Sequence, residues 1–327
     1  MKKRNKKIIY GDRSQKDIPV QVYLSFDFPP WIGNQYYENI FTKRFRPFLN
    51  SKFLSGKIKN VLKDITVIYA FARTLDNLVD DSDCLLVKYN ALYQAKRILN
   101  FVYDETSDLK PYKMALDLKN VIQKYQIEKK DMLNLVQGIS QDVEGFKKAP
   151  SFCELNAYIY KASITPGLIL DCFFQGKKDP AATAFIIDLY RSAQYYNIIT
   201  NIKDDAKQGR IYIPKEVLEK HGLKNITPQN ILQYDLRPVI QTMVHIADRY
   251  NQLSMKRLKK QKNYRMQFTY WFINKINDEY KNKIIENGYN IVDETQLLSF
   301  QHRIIPMIKA GFSYGWHQRQ IFRTAER

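Results

Sequence analysis

The sequence predicts an all-α protein, a single large helical bundle around a central cavity. Three observations carry this. Apolar residues recur near 3.6-residue spacing in one window after another from about residue 57 onward, whereas strand-like alternation is rare. No internal repeat, low-complexity tract or linker divides the 327 residues, so one large domain is the economical reading. A polar stripe runs along an otherwise apolar helix late in the chain, which predicts an internal polar cavity.

Residues 1–35 read as a basic, irregular extension, broken by Pro19, Pro29, Pro30 and Gly33. Lys2, Lys3, Arg4, Lys6 and Lys7 open it with no secretory apolar region behind them. Tyr23, Phe26, Phe28 and Trp31 in its later part are placed to pack on the body or to touch lipid. The helical domain is expected over residues 36–310, followed by a basic, aromatic tail at 311–327 with Tyr314, Trp316 and Phe322.

The first helix, 57–82, holds Tyr69-Ala70-Phe71-Ala72-Arg73-Thr74-Leu75-Asp76-Asn77-Leu78-Val79-Asp80. Asp76 and Asp80 stand one turn apart, where like charges repel, so the pair calls for a cation or another compensation. Magnesium suits it, taking hard oxygen ligands, keeping several waters and being shared with substrate phosphates. Asp81 and Asp83 belong to the solvated helix end. Helices at 85–104, 112–125 (with Pro111 at its start) and 130–146 follow. Ala149-Pro150-Ser151 breaks the chain before a helix with Tyr158 and Tyr160, which Thr165-Pro166-Gly167 interrupts.

The helix at 181–207 carries the stripe Gln194, Asn197, Asn201 and Asp205, at steps of three or four residues and therefore on one face. Ala193, Tyr195, Tyr196, Ile198, Ile199 and Ile202 surround it. Such a face fits a hydrated cation, a diphosphate or an amide network satisfying itself. Gly209 ends the helix and Pro214 follows. Further helices are expected at 230–262, 264–286 and 296–310, with a solvated basic cluster around Lys256, Arg257, Lys259, Lys260, Lys262 and Arg265.

On these residues the chain resembles the squalene/phytoene synthase family, the head-to-head prenyl synthases. That family's first aspartate motif follows a Tyr-Ala-Phe-x-Arg run, matched by Tyr69, Ala70, Phe71 and Arg73, then Asp76 and Asp80, with Asn77 where a second Asp is usual. Its second motif closes on Gly-Arg-x-Tyr-x-Pro and is matched by Asn197, Asp205, Gly209, Arg210, Tyr212 and Pro214; Asn201 stands where the family has an Asp. Asp142, Tyr158 with Gly167, Tyr270 and Gly288-Tyr289 are weaker echoes, and Glu38-Asn39 resembles the hydroxysqualene synthase branch. The family's N-terminal Ser-x-Ser-Phe phosphate loop is missing, and Lys43, Arg44 and Arg46 are candidates to replace part of it.

The resemblance implies a bundle of the isoprenoid synthase type and ionisation of an allylic diphosphate. Asp76, Asp80, Asn201 and Asp205 would hold Mg2+; Arg73, Gln194, Asn197 and Arg210 would bind the diphosphate; Tyr158 and Tyr270 would stabilise the carbocation. The Pro-Gly kink would turn Tyr158 toward the cavity. Substrates would be farnesyl diphosphates or presqualene diphosphate, giving squalene, hydroxysqualene or dehydrosqualene, with NADPH needed only for squalene. A phytoene synthase acting on geranylgeranyl diphosphate is an alternative, as is a non-catalytic assembly factor on the same fold, which Asn77 and Asn201 favour.

Bulk composition fits without selecting among these. Lys plus Arg 52 against Asp plus Glu 33 gives +19, favouring anionic partners such as diphosphates or anionic lipid. No Arg-Gly repeat, zinc spacing or RNA-binding aromatic signature accompanies the charge, so nucleic acid is not expected. Cys84, Cys153 and Cys172, odd in number and without metal-type pairing, point to a cytoplasmic protein, and no apolar run reaches the roughly 20 residues of a membrane span; the hydrocarbon product that the resemblance implies, with the basic surface, places it peripherally at the inner face of the membrane. The oligomeric state is not legible.

Overall fold

The computed structural model describes residues 56–80, 82, 84–104, 113–175, 180–258 and 264–291. All regular structure among them is helical. The expected helix at 296–310, the extension at 1–35 with Lys43, Arg44 and Arg46 beyond it, and the tail at 311–327 lie outside the described residues. The chain divides into two compact units, with the boundary between Val143 and Glu144.

The first unit contains α1 (Gly56–Asp80), α2 (Leu85–Asp104), α3 (Lys113–Tyr125) and α4 (Lys129–Glu144). Along α1 the positions Val67, Ala70, Phe71, Leu75 and Val79 are buried, following the helical period. They share a core with Ala91, Ala95, Ile98, Leu99 and Val102 of α2 and with Met114, Ala115, Leu118, Val121 and Ile122 of α3. Each large side chain so buried is worth about 1.5–3 kcal/mol against exposure. Thr66 and Thr74 donate their hydroxyls to the carbonyls of Leu62 and Ala70, both at 2.7 Å, so neither brings an unmet polar group into the core. Asp64 ties α1 to α3 by accepting from Lys124 Nζ at 2.6 Å and from the Tyr125 hydroxyl at 2.8 Å. That carboxylate raises the Lys124 ammonium above its ordinary range. Burial first, and the same carboxylate second, raise the Tyr125 phenol. Helix α4 stops at Glu144, short of the expected 146, because Gly145 takes φ +57°.

The second unit begins with α5 (Phe152–Ile159), a π-helical turn (Tyr160–Ile164) and α6 (Thr165–Gln175). Ser151 caps α5 in a capping box with Glu154, and the Phe152 amide donates to the Glu216 carboxylate at 3.1 Å, which satisfies a further exposed donor of the first turn. The sequence predicts an interruption at Thr165-Pro166-Gly167, but the helix runs through. Pro166 has no amide hydrogen, and the chain accommodates it by widening the turn before it: the Thr165 amide and hydroxyl both donate to the Tyr160 carbonyl, the hydroxyl at 2.9 Å. Gly167 is then required by contact, since a Cβ there would lie 2.4 Å from the Tyr190 ring.

Next come α7 (Pro180–Lys207), the unforeseen short α8 (Lys215–Lys220), a 3-10 turn (Ile231–Gln233), α9 (Arg237–Leu258) and α10 (Tyr264–Glu286). Helix α9 starts at Arg237 rather than near 230 because the Asp235 carboxylate accepts from the Arg237 amide at 3.0 Å and Pro238 sits in the first turn. Helices α7 and α9 pack along their length: Ser192 donates to the Ala247 carbonyl at 2.8 Å, Tyr195 stacks on Tyr250 with ring centres 6.1 Å apart, and Arg257 reaches Asp188 at 2.7 Å. Between α9 and α10 the seam is polar. Ser254 donates to the Asn274 amide oxygen at 2.7 Å, Asn251 to Asp278 at 3.0 Å, and Asn277 to Asn251 at 3.2 Å. Ser254, Asn274, Asn251 and Asn277 are all buried. Lys281 closes the row on Asp248 at 2.7 Å.

Candidate active site

Helix α7 holds the stripe the sequence predicts. Tyr195, Tyr196, Ile198, Ile199 and Ile202 are buried in the core of the second unit, which turns Gln194, Asn197, Asn201 and Asp205 together onto the opposite side. The sequence places that side in an internal cavity; in the structure Gln194, Asn201 and Asp205 are half-buried and Asn197 is exposed. One helix can serve a core and an open polar stripe at once because the apolar positions are confined to the other half of the period.

The end of α7 is a Schellman turn. Gly209 takes φ +71°, its amide donates to the Ala206 carbonyl at 3.0 Å, and the Arg210 amide donates to the Asp205 carbonyl at 2.8 Å. The backbone of Asp205 is thereby fixed by the closure that follows it. Arg210 lies along Gly145, where a Cβ would come within 2.5 Å of its side-chain carbons, and its guanidinium donates to Gln208. The Ile211 amide donates to the Phe146 carbonyl at 2.8 Å. Tyr212 packs against Tyr158 at 4.9 Å and against Phe146 at 5.7 Å. Tyr158 is buried in this trio, so its ring joins α5 to the motif's closure. Gly145 and Phe146 are contributors the sequence reading missed. The available signal was a glycine directly after a helix, which marks a left-handed cap.

Helix α1 presents the other motif within the first unit. Ala70, Phe71, Thr74, Leu75 and Val79 point into the core, while Arg73 and Asp76 lie on the outer side with side chains 43% and 29% exposed. Their charged groups form an ion pair one turn apart. The compensation that the Asp76–Asp80 spacing demands is thus met in part by Arg73, in a contact that solvent keeps weak. The side chains of Asp80 and Tyr270 lie outside the described residues.

Each unit carries oxygen donors of a kind that suits magnesium: Asp76 in the first, and Asn201 and Asp205 in the second, all half-buried rather than sealed, as an ion that retains water and shares substrate phosphates requires. Among the described residues no three His, Cys, Asp or Glu side chains converge on one point.

A helical fold with carboxylate-and-amide motifs on two of its helices fits the class of isoprenoid synthases. The squalene/phytoene synthase family model matches residues 48–304, and the chain belongs to that family. It is 26% identical over 165 residues to a presqualene diphosphate synthase of Sinorhizobium fredii, covering 50% of this chain and 57% of the relative. It is 25% identical over 191 residues to a phytoene synthase of Cereibacter sphaeroides, covering 56% and 53%. The chain thus spans little more than half the length of these curated relatives. Among solved structures, squalene synthase HpnC from Alicyclobacillus acidocaldarius aligns with TM-score 0.64 at 18% identity, over 84% of this chain and 97% of that one. A dehydrosqualene synthase in complex with ligand aligns with TM-score 0.66 at 17% identity, over 88% and 99%. These two likenesses establish the fold.

Proposed function

We propose that the chain condenses two farnesyl-type diphosphates head to head, to presqualene diphosphate or onward to a squalene, hydroxysqualene or dehydrosqualene product. The reading takes residues 36–310 as one functional domain. The observation that carries it is the stripe on α7, half-open oxygen donors ending in a Schellman turn that holds Asp205 and Arg210, in a chain whose α1 repeats the donor pattern at Asp76 and Asp80.

In this reading Asp76, Asp80, Asn201 and Asp205 hold Mg2+, which when bound neutralises the departing diphosphate. Arg73 exchanges its carboxylate partner for a phosphate, a substitution its exposure permits and its planar fork favours. Gln194 and Asn197 orient phosphate oxygens or metal-bound water, and Arg210 binds phosphate from the closure. Tyr158, through its place against Tyr212, positions that closure and offers its hydroxyl toward the developing cation; Tyr270 is the second residue assigned to stabilise that cation. NADPH enters only if squalene is the product. A hydrocarbon product cannot leave into water, and with the +19 charge this supports peripheral association with an anionic membrane at the cytoplasmic side, with the 311–327 tail as one contact. No helix among the described residues is long and apolar enough to cross a membrane.

The test is incubation of the purified chain with radiolabelled farnesyl diphosphate and magnesium, then extraction of products, with geranylgeranyl diphosphate in parallel to separate a phytoene synthase. Asp80→Ala should abolish product formation and leave the melting temperature unchanged or raised, because one of two neighbouring carboxylates is removed. Unchanged turnover would remove Asp80 from the metal set. Asn201→Asp should lower the magnesium concentration for half-maximal turnover, since it restores a carboxylate one turn from Asp205. The open stripe spares the new charge most of its desolvation, so the melt should move little. Inactivity of both forms at every magnesium concentration favours the assembly-factor reading.

A further inference from the structure

Helix α2 has two unlike sides. Val87, Ala91, Ala95, Ile98, Leu99 and Val102 point into the core of the first unit, and the side opposite them is open. There Leu85 and Leu86 are 58% and 59% exposed, and Tyr89 and Tyr93, one and two turns on from Leu85, are 48% and 56% exposed. Four large apolar or aromatic side chains in a row on one exposed helix face are unusual for a surface that meets only water. One turn beyond Tyr93 the same face continues into Lys96, which is exposed, and Arg97, whose guanidinium donates to Gln94 at 3.2 Å. Lys88 flanks it, and no Asp or Glu occurs from residue 85 to 103.

Exposed leucines, exposed tyrosines with a polar tip on an apolar body, and a continuation through the exposed Lys96 in a stretch free of acidic residues match the boundary of an anionic bilayer. The position fits as well. Helix α2 packs on α1 across the short link 81–84, so its leucine end lies at the end of α1 that carries Asp76 and Asp80.

We infer that the outer face of α2, formed by Leu85, Leu86, Tyr89, Tyr93 and Lys96, docks the protein on an anionic lipid surface. This rests on the membrane association proposed above and names where it occurs. Lipid-borne apolar chains then approach next to the carboxylates that would receive their diphosphate heads.

The experiment is flotation of the full chain with vesicles of phosphatidylglycerol and phosphatidylcholine against phosphatidylcholine alone, at rising salt. The wild type should float with the anionic vesicles and release as salt rises. Leu85→Ser with Leu86→Ser should lower partitioning by about tenfold or more, and Lys96→Gln by about fivefold. Because these side chains are exposed, each variant should melt as the wild type does; Lys96→Gln alone keeps the test open if the double variant does not fold. Wild-type binding by both variants overturns the inference, as does loss of binding only when 312–327 is deleted. A wild-type dimer that the leucine substitutions convert to monomer overturns it too, making the face an interface between copies. Turnover in detergent separates the two readings: α2-dependent flotation without turnover keeps the docking face and removes the catalytic assignment, and turnover with α2-independent flotation does the reverse.

Discussion

Tyr196 brings a hydroxyl into the core of the second unit and has no partner for it among the described residues. Its ring stacks on Tyr280 of α10 at 6.4 Å and the residue is 1% exposed, yet the hydroxyl makes no hydrogen bond among the described residues. A buried polar atom left unmet costs about 1–3 kcal/mol, so Tyr196→Phe is expected to leave the melting temperature unchanged or to raise it. A fall in a thermal melt would reveal a partner for that hydroxyl. Arg73 is the opposite case, its charge met by Asp76 one turn along the same helix. Spacing was enough to nominate Asp76 and the α7 stripe, because it places such residues on common faces, whereas Arg73 was nominated by the family resemblance. Neither could say that Asn197 would be exposed or Tyr158 enclosed by Phe146 and Tyr212, since both depend on chain segments distant in sequence.

Among the elements, α5 is tightly specified at its start. The Glu154 carboxylate accepts from the Ser151 amide at 2.7 Å and from its hydroxyl, and these hydrogen bonds hold it below its ordinary pKa of 4.5. A depressed carboxylate stabilises the fold above its unfolded value, and that contribution is lost as pH falls through the lower folded value. NMR titration should therefore find Glu154 still ionised below pH 4.5, and Glu154→Gln should flatten the acid limb of stability. A midpoint at the ordinary value would dissolve the capping box in solution. Helix caps of this kind were legible: Gly209 ends α7 where the sequence places it, and Pro150-Ser151 opens α5. The π turn was not, because Thr165-Pro166-Gly167 reads equally as a break or as a widened turn, and the close contact of Gly167 with Tyr190 favours continuity.

At the scale of the whole molecule, the fold class was the most legible feature, since long periodic segments define a helical protein before any contact is known. The core's aromatic content predicts its alkaline limit. Burial raises the phenols of Tyr190, Tyr195 and Tyr196 well above their ordinary value near 10. A raised folded pKa gives stability that is complete below the unfolded value and declines as pH rises toward the folded one. Stability should thus fall above about pH 10, with part of the tyrosinate absorbance near 295 nm developing only as the helices melt. Smooth ionisation of all tyrosines in a folded protein would contradict this burial. The polar seam between α9 and α10 has a different consequence. Two greasy helices can slide past each other by a turn at small cost, but here any slip parts Ser254 from Asn274 and Asn251 from both Asn277 and Asp278 at once. The row works like the notches of a ratchet. It indexes α10 along its own axis, so that the height of Tyr270, one turn upstream of Asn274, is set by amides buried farther down the same helix.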